Sequence, residues 1–179
     1  AYSEDVDKLN ISISELETQL KKLGEEKESM AGELAIAENK AKTNDIYNLL
    51  IQATSYYMAN DKVNCGLKLV EMGDVQSMGE TIINLYNTLK TATFEDAYRH
   101  YNTVAYTAEK AGNYQDALNT FLICEKFKPA NVEVLFHIGF NYTKTNNGVV
   151  SDTAKSYFEK VIALEPNSGY ASMAKDYLN

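Results

Sequence analysis

The sequence contains no tryptophan, only two prolines, two cysteines and two histidines in 179 residues. A protein made of many short strands and turns needs more proline, whereas the Ala, Leu, Glu and Lys content favours helix. Cys65 and Cys124 are far apart and lack Cys-x-x-Cys spacing, so they are predicted to be small packing residues without redox or metal chemistry. No apolar run approaches the roughly 18 residues of a membrane span, and no signal peptide is visible.

Basic residues are also scarce. Lys and Arg number 17 against 25 Asp and Glu, which gives a net charge of −8. Phosphate backbones are bound by clustered Lys and Arg, so the composition argues against nucleic acid as a partner. His100 and His137 have no metal-ligating or catalytic neighbour at motif spacing, although His137 could face a groove. The sequence therefore predicts a protein without enzymatic activity, metal or cofactor.

Residues 1–43 carry a heptad pattern, with apolar residues at alternating spacings of three and four. This pattern is typical of a left-handed coiled coil, and Lys27 is its one polar exception. Three arrangements would bury the seam: a parallel homodimer, an antiparallel hairpin bent at Gly24, or packing against the rest of the chain. The flanking charges give a parallel homodimer no attractive ion pairs. The predicted seam comprises Leu9, Ile13, Leu16, Leu20, Leu23, Met30 and Leu34.

The heptad pattern ends at Lys42–Asp45, where residues that commonly cap helices collect, so we predict a domain boundary after residue 43. Capping boxes are predicted at Ser77–Glu80 and at Thr93–Asp96, each opening a new helix. The helices expected from these signals and from the turns that follow lie at about 45–59, 62–72, 77–91, 93–111, 114–128, 131–145, 151–165 and 168–178.

One order of residues occurs twice in the second half of the chain. A small residue is followed by an aromatic residue, a small or β-branched residue and a proline, at the same spacing each time. The two sets are Ala117, Phe121, Cys124 and Pro129, then Ala154, Phe158, Val161 and Pro166. Gly139 also occupies a position where two helices could touch closely.

With these residues, 98–166 resembles two tetratricopeptide repeats, and 44–92 resembles degenerate helices of the same family. The resemblance implies an all-α superhelix of stacked helix pairs preceded by the long coiled-coil helix. Residues 93–179 would form two repeats and a terminal capping helix. Such repeats bind peptides or helices in a concave groove, although several groove aromatics could instead belong to the core. The groove positions carried over are Tyr47, Leu50, Thr54, Tyr57, Arg99, Asn102, Tyr106, Glu109, Glu133, Phe136, Phe140 and Thr143.

The expected function is that of a non-enzymatic scaffold that binds another protein or peptide and dimerises through its coiled coil. The alternative is a structural oligomerisation module in which the coiled coil is the functional part. No direct membrane contact is expected within the chain. Its layout resembles bacterial single-pass membrane proteins whose repeat domain lies outside the cell. Because the predicted stalk begins at the start of the sequence, attachment to something upstream is expected, most commonly a membrane span, and an extracytoplasmic location is favoured over a cytoplasmic one.

Overall fold

The computed structural model describes the backbone of residues 2–179 and the side chains of residues 11–179, so the predicted role of the Leu9 side chain lies outside the described residues. The described chain contains helices and no strands, which confirms the predicted all-α fold. The helices are α1 (Tyr2–Met58), α2 (Lys62–Met72), α3 (Glu80–Lys110), α4 (Tyr114–Phe127), α5 (Val132–Thr145), α6 (Asp152–Leu164) and α7 (Gly169–Leu178).

The chain divides into two compact units, Ala1–Tyr47 and Asn48–Asn179. The first unit belongs to α1, which continues without a break through Gly24 and through Lys42–Asp45. The hairpin bent at Gly24 and the helix start at Asp45 are therefore wrong. At Thr43 the hydroxyl donates a hydrogen bond to the carbonyl of Asn39, 2.9 Å away. This threonine is thus satisfied inside a helix and does not cap one.

Apolar side chains line α1 at the predicted seam positions. Their exposed fractions lie between 49% and 73% in the single chain. The unbroken helix therefore presents this apolar stripe to water in the single chain. The described seam residues are Ile13, Leu16, Leu20, Leu23, Met30 and Leu34.

In the second unit, each helix from α2 to α7 packs against the next, and α5 also contacts α7. The predicted break before Thr93 is wrong, because α3 is one continuous helix. Thr93 is fully buried, and its hydroxyl donates to the carbonyl of Leu89 at 2.8 Å. Gly79 precedes α3 and makes no side-chain capping bond, so the capping box predicted at Ser77 is wrong as well.

The repeated residues form the core of this unit. Both sets of small, aromatic and β-branched residues on α4 and α6 are fully buried. A β-carbon added at Gly139 would lie 2.8 Å from the Phe158 ring, so glycine allows α5 and α6 to approach this closely. Asn131, Ser151 and Ser168 accept hydrogen bonds from backbone N–H groups at the starts of α5, α6 and α7.

Candidate functional site

Two neighbouring cavities lie on α3, α5 and α7, and His137 lines both of them. We call the first the apolar cavity; its volume is about 260 Å³. The second, the polar cavity, has a volume of about 540 Å³. The apolar cavity is lined by Glu109, Phe136, His137, Phe140, Met173, Asp176 and Tyr177. The polar cavity is lined by Asn102, Thr103, Tyr106, Thr107, Lys110, Glu133, His137 and Tyr170. Together these residues define the groove.

A largely buried carboxylate holds the centre of the groove together. Glu109 Oε2 lies 2.9 Å from His137 Nδ1 and accepts a second hydrogen bond from Asn141 Nδ2 at 2.6 Å. The side chains of His137 and Glu109 are 14% and 13% exposed. Since a carboxylate only accepts, we assign the proton to Nδ1 of His137. The imidazole is thereby fixed between the two cavities.

A second carboxylate orders the polar cavity. The Tyr106 hydroxyl donates a hydrogen bond to Glu133 Oε1 at 2.5 Å. Burial, followed by this bond to a negatively charged acceptor, raises the pKa of Tyr106. Burial and then the charge of Glu133 raise the pKa of Tyr170 in the same way. Both hydroxyls therefore remain protonated donors at neutral pH.

Six of the twelve groove positions inferred from the sequence line these cavities. Among them, Phe136 is only 6% exposed and packs against Phe158, Tyr170 and Tyr177. Phe136 is therefore largely a core residue, since α7 covers most of its ring. The six are Asn102, Tyr106 and Glu133 in the polar cavity and Glu109, Phe136 and Phe140 in the apolar cavity.

The remaining positions line neither cavity. Arg99 points to solvent, 3.8 Å from Glu95, and Tyr47 and Tyr57 are 44% and 43% exposed on α1. Leu50 and Thr143 are buried, and Thr54 donates to the carbonyl of Leu50.

Sequence reasoning missed several lining residues, for two reasons. Residues on α7 were missed because that helix was assigned only a covering role. Others on α3 were missed because Thr103, Thr107 and Lys110 are not among the positions that the repeat resemblance carries over. The residues from α7 are Tyr170, Met173, Asp176 and Tyr177.

Both cysteine thiols are buried and line neither cavity. Burial raises the pKa of Cys124 to about 12 and also raises that of Cys65, so both thiols are neutral and inaccessible. The hydroxyls of Thr103 and Thr107 are bonded to carbonyls one turn back. Among the described residues, no group of three or more His, Cys, Asp and Glu is arranged to hold a metal ion. The groove therefore offers shape, aromatic surface and hydrogen bonds.

In the part of the chain that the structure describes, no helix has a stretch long and apolar enough to span a bilayer. Protein-family models give no match to this chain, and no curated protein sequence matches it significantly.

Proposed function

We propose that this protein is a non-enzymatic scaffold that binds a segment of another polypeptide in the groove. The observation that carries the proposal is the pair of cavities joined at His137, one mainly aromatic and one mainly polar. Peptide-binding surfaces combine apolar pockets with a few fixed polar groups in this way. The resemblance of residues 98–166 to tetratricopeptide repeats favours the same class of function.

The hydrogen bonds within the groove hold its polar side chains in fixed positions, which favours the binding of a ligand. Nδ1 of His137 is engaged by Glu109, and the nearby hydroxyl of Tyr106 is bonded to Glu133. These groups satisfy one another and so form a preorganised surface, which lowers the entropy lost when a ligand binds.

The groove can be blocked without disturbing the core. Thr103 and Thr107 are exposed on α3, and arginine has a higher helix propensity than threonine. Thr103→Arg and Thr107→Arg would therefore place a long, charged side chain at the edge of the polar cavity at no cost to helix formation. Thr153→Arg makes the same change at an exposed position of α6 that lines neither cavity. Substitution of Phe136 is unsuitable, because truncating a buried ring costs about 3–5 kcal/mol of stability.

The test uses short peptides selected from a random display library on the wild-type chain. Their affinities are then measured by fluorescence anisotropy for the wild type and the three variants. We expect Thr103→Arg and Thr107→Arg each to weaken binding about tenfold or more, equivalent to about 1.4 kcal/mol, and Thr153→Arg to have no effect. Failure to select any peptide, or equal binding by all variants, would show that the groove is not a peptide site.

The stripe on α1 favours a second function, oligomerisation. Its six described seam residues are exposed along an uninterrupted helix. Burying a leucine side chain contributes about 1.5–3 kcal/mol, so a second copy of the helix would gain substantially by covering the stripe. A dimeric coiled coil is the arrangement that this heptad spacing favours.

Sedimentation analysis of the full chain tests this second function. Leu16→Lys with Leu20→Lys places two charges in the seam and is expected to yield a monomer. Thr18→Lys with Asn39→Lys adds the same charge at exposed positions on the opposite side of the heptad, and is expected to leave the mass unchanged. A wild type that is monomeric at all concentrations contradicts the oligomerisation role.

A further inference from the structure

The apolar cavity combines aromatic rings with carboxylates. Phe136, Phe140 and Tyr177 line it together with Glu109 and Asp176. We infer that this cavity receives an arginine side chain of the bound polypeptide. The inference rests on the proposed function, and it specifies one chemical feature of the partner.

The charge of the cavity favours a cation. Two of its lining residues are carboxylates, and none is lysine or arginine. Lys110 lines the polar cavity, and the Lys144 ammonium lies 5.2 Å from the Phe140 ring centroid and 6.0 Å from that of Tyr114, outside the lining set. The Lys144 contact shows that the Phe140 ring already holds one cation by its π-system.

Glu109 has capacity for a further donor. Its Oε2 atom accepts hydrogen bonds from His137 and Asn141, whereas Oε1 accepts none from the residues that the structure describes. A neutral imidazole that donates from Nδ1 leaves the carboxylate charge in place. Glu109 is largely buried, so an apolar occupant would strip its remaining water and supply no hydrogen bond in exchange.

Arginine fits this combination better than lysine. Its planar guanidinium stacks on aromatic rings, donates in several directions at once and is less strongly hydrated than an ammonium group. The volume of about 260 Å³ lies just below the range of about 300–1,000 Å³ that is usual for small-molecule sites. It suits a single side chain of a longer ligand, and the adjoining polar cavity could accommodate neighbouring residues.

The experiment is a nuclear magnetic resonance titration of the full chain with three blocked pentapeptides. Each has alanines around a central residue, which is arginine, citrulline or norleucine. Citrulline preserves the shape of arginine without its charge, and norleucine preserves only an apolar stem. We expect the arginine peptide to give saturable shifts at Phe140, Asp176 and Tyr177, with at least about tenfold weaker binding by the other two.

Two charge-removing variants complete the test. Asp176→Asn lies at an exposed position of the cavity, so folding should be unaffected and binding of the arginine peptide should weaken about threefold or more. Glu159→Gln is the control, because it removes the same charge at an exposed position of α6 that lines neither cavity. Glu159 lies 3.9 Å from Lys155, and its substitution should leave the affinity for the arginine peptide unchanged. Equal binding of the citrulline peptide, no saturable shifts with arginine, or insensitivity to Asp176→Asn overturns the inference.

Failure of this inference is distinguishable from failure of the proposed function. Selected peptides that depend on Thr103 and Thr107, yet tolerate Asp176→Asn and the loss of their arginines, overturn the arginine site alone. Absence of any peptide sensitive to Thr103→Arg or Thr107→Arg overturns the groove as a binding surface.

Discussion

Replacement of Gly139 by alanine tests the close contact between α5 and α6. The new β-carbon would lie 2.8, 3.0 and 3.1 Å from Cε1, Cδ1 and Cζ of Phe158. Phe158 is fully buried, and its ring stacks on Tyr177 with a centroid separation of 4.9 Å. The ring therefore cannot move away without disturbing the packing of α7.

Two effects of opposite sign determine the result. Alanine favours helix over glycine by about 1 kcal/mol, while overpacking a well-filled core costs about 1–3 kcal/mol. One contact to Phe158 is shorter than real β-carbon contacts allow and the other two are tighter than most, so we place the cost in the upper half of that range. The expected net effect is a loss of about 1–2 kcal/mol in the free energy of unfolding.

The assay is unfolding in urea, monitored by far-ultraviolet circular dichroism and by the near-ultraviolet signal of the packed tyrosines. Gly169→Ala is the matched control, because Gly169 lies in α7 of the same unit and an added β-carbon there meets nothing within 4 Å. The control should be neutral or slightly stabilising. In a Phe158→Leu background, Gly139→Ala should lose its penalty, because the smaller side chain leaves room. If Gly139→Ala stabilises the wild type as much as the control does, the close contact is refuted.

Three further predictions concern buried polar and ionisable groups. Glu109→Ala should lower the free energy of unfolding by about 2–3 kcal/mol, because it leaves the buried donors of His137 and Asn141 without an acceptor. Glu95→Ala removes an exposed carboxylate and should barely change the thermal midpoint. Equal shifts of the midpoint in the two variants would contradict the network around Glu109. Burial raises the pKa of Cys124 to about 12, so a thiol reagent at pH 8 should label the native chain only as fast as it unfolds, and rapid labelling would be the contrary result. Burial, aided by nearby negative charge, raises the pKa of Tyr98 to about 12. Its contribution to stability should be complete below the unfolded pKa of about 10 and lost as the pH rises through about 12, and Tyr98→Phe should flatten that decline in the free energy of unfolding.

The ends of α4 to α7 could be read from the sequence because each is marked by local chemistry. Pro129 and Pro166 prevent the preceding helices from continuing, and Asn131, Ser151 and Ser168 cap the following ones. Residues that repeat at helix spacing also identified the core, since a small residue beside an aromatic one is a strong packing signal. These features are local, so a single sequence suffices to find them.

The continuity of α1 and α3 could not be read in the same way. Threonine caps helices, but within a helix its hydroxyl bonds to the carbonyl four residues earlier, as Thr43 and Thr93 do. The same residue type therefore marks a helix start in one context and a helix interior in another. Only packing decides between them, and at Thr93 complete burial favours the interior.

The groove was predictable in part for a related reason. Repeat spacing identifies residues on α3 and α5 that share a surface, and Asn102, Tyr106 and Glu133 do line a cavity. The hydrogen bond between Glu109 and His137 joins residues that are 28 apart in the sequence, and no local sequence pattern predicts it. Phe136 was assigned to the groove from its repeat position on α5. It does line the apolar cavity, but α7 covers most of its ring.

Because α3 is unbroken, few positions along it can accept an inserted residue. The helix has 31 residues, which corresponds to about 46 Å. Gly66 of α2 lies against it at Ala97, and farther along Tyr106 meets Phe121 of α4 with ring centroids 5.2 Å apart. Both contacts are made by the same continuous helix, without a loop between them. A single inserted residue between the two would rotate everything beyond it by about 100° relative to α2, so the two contacts could no longer form together. Substitution of side chains in α3 is therefore compatible with both contacts, whereas an insertion between Ala97 and Tyr106 is not.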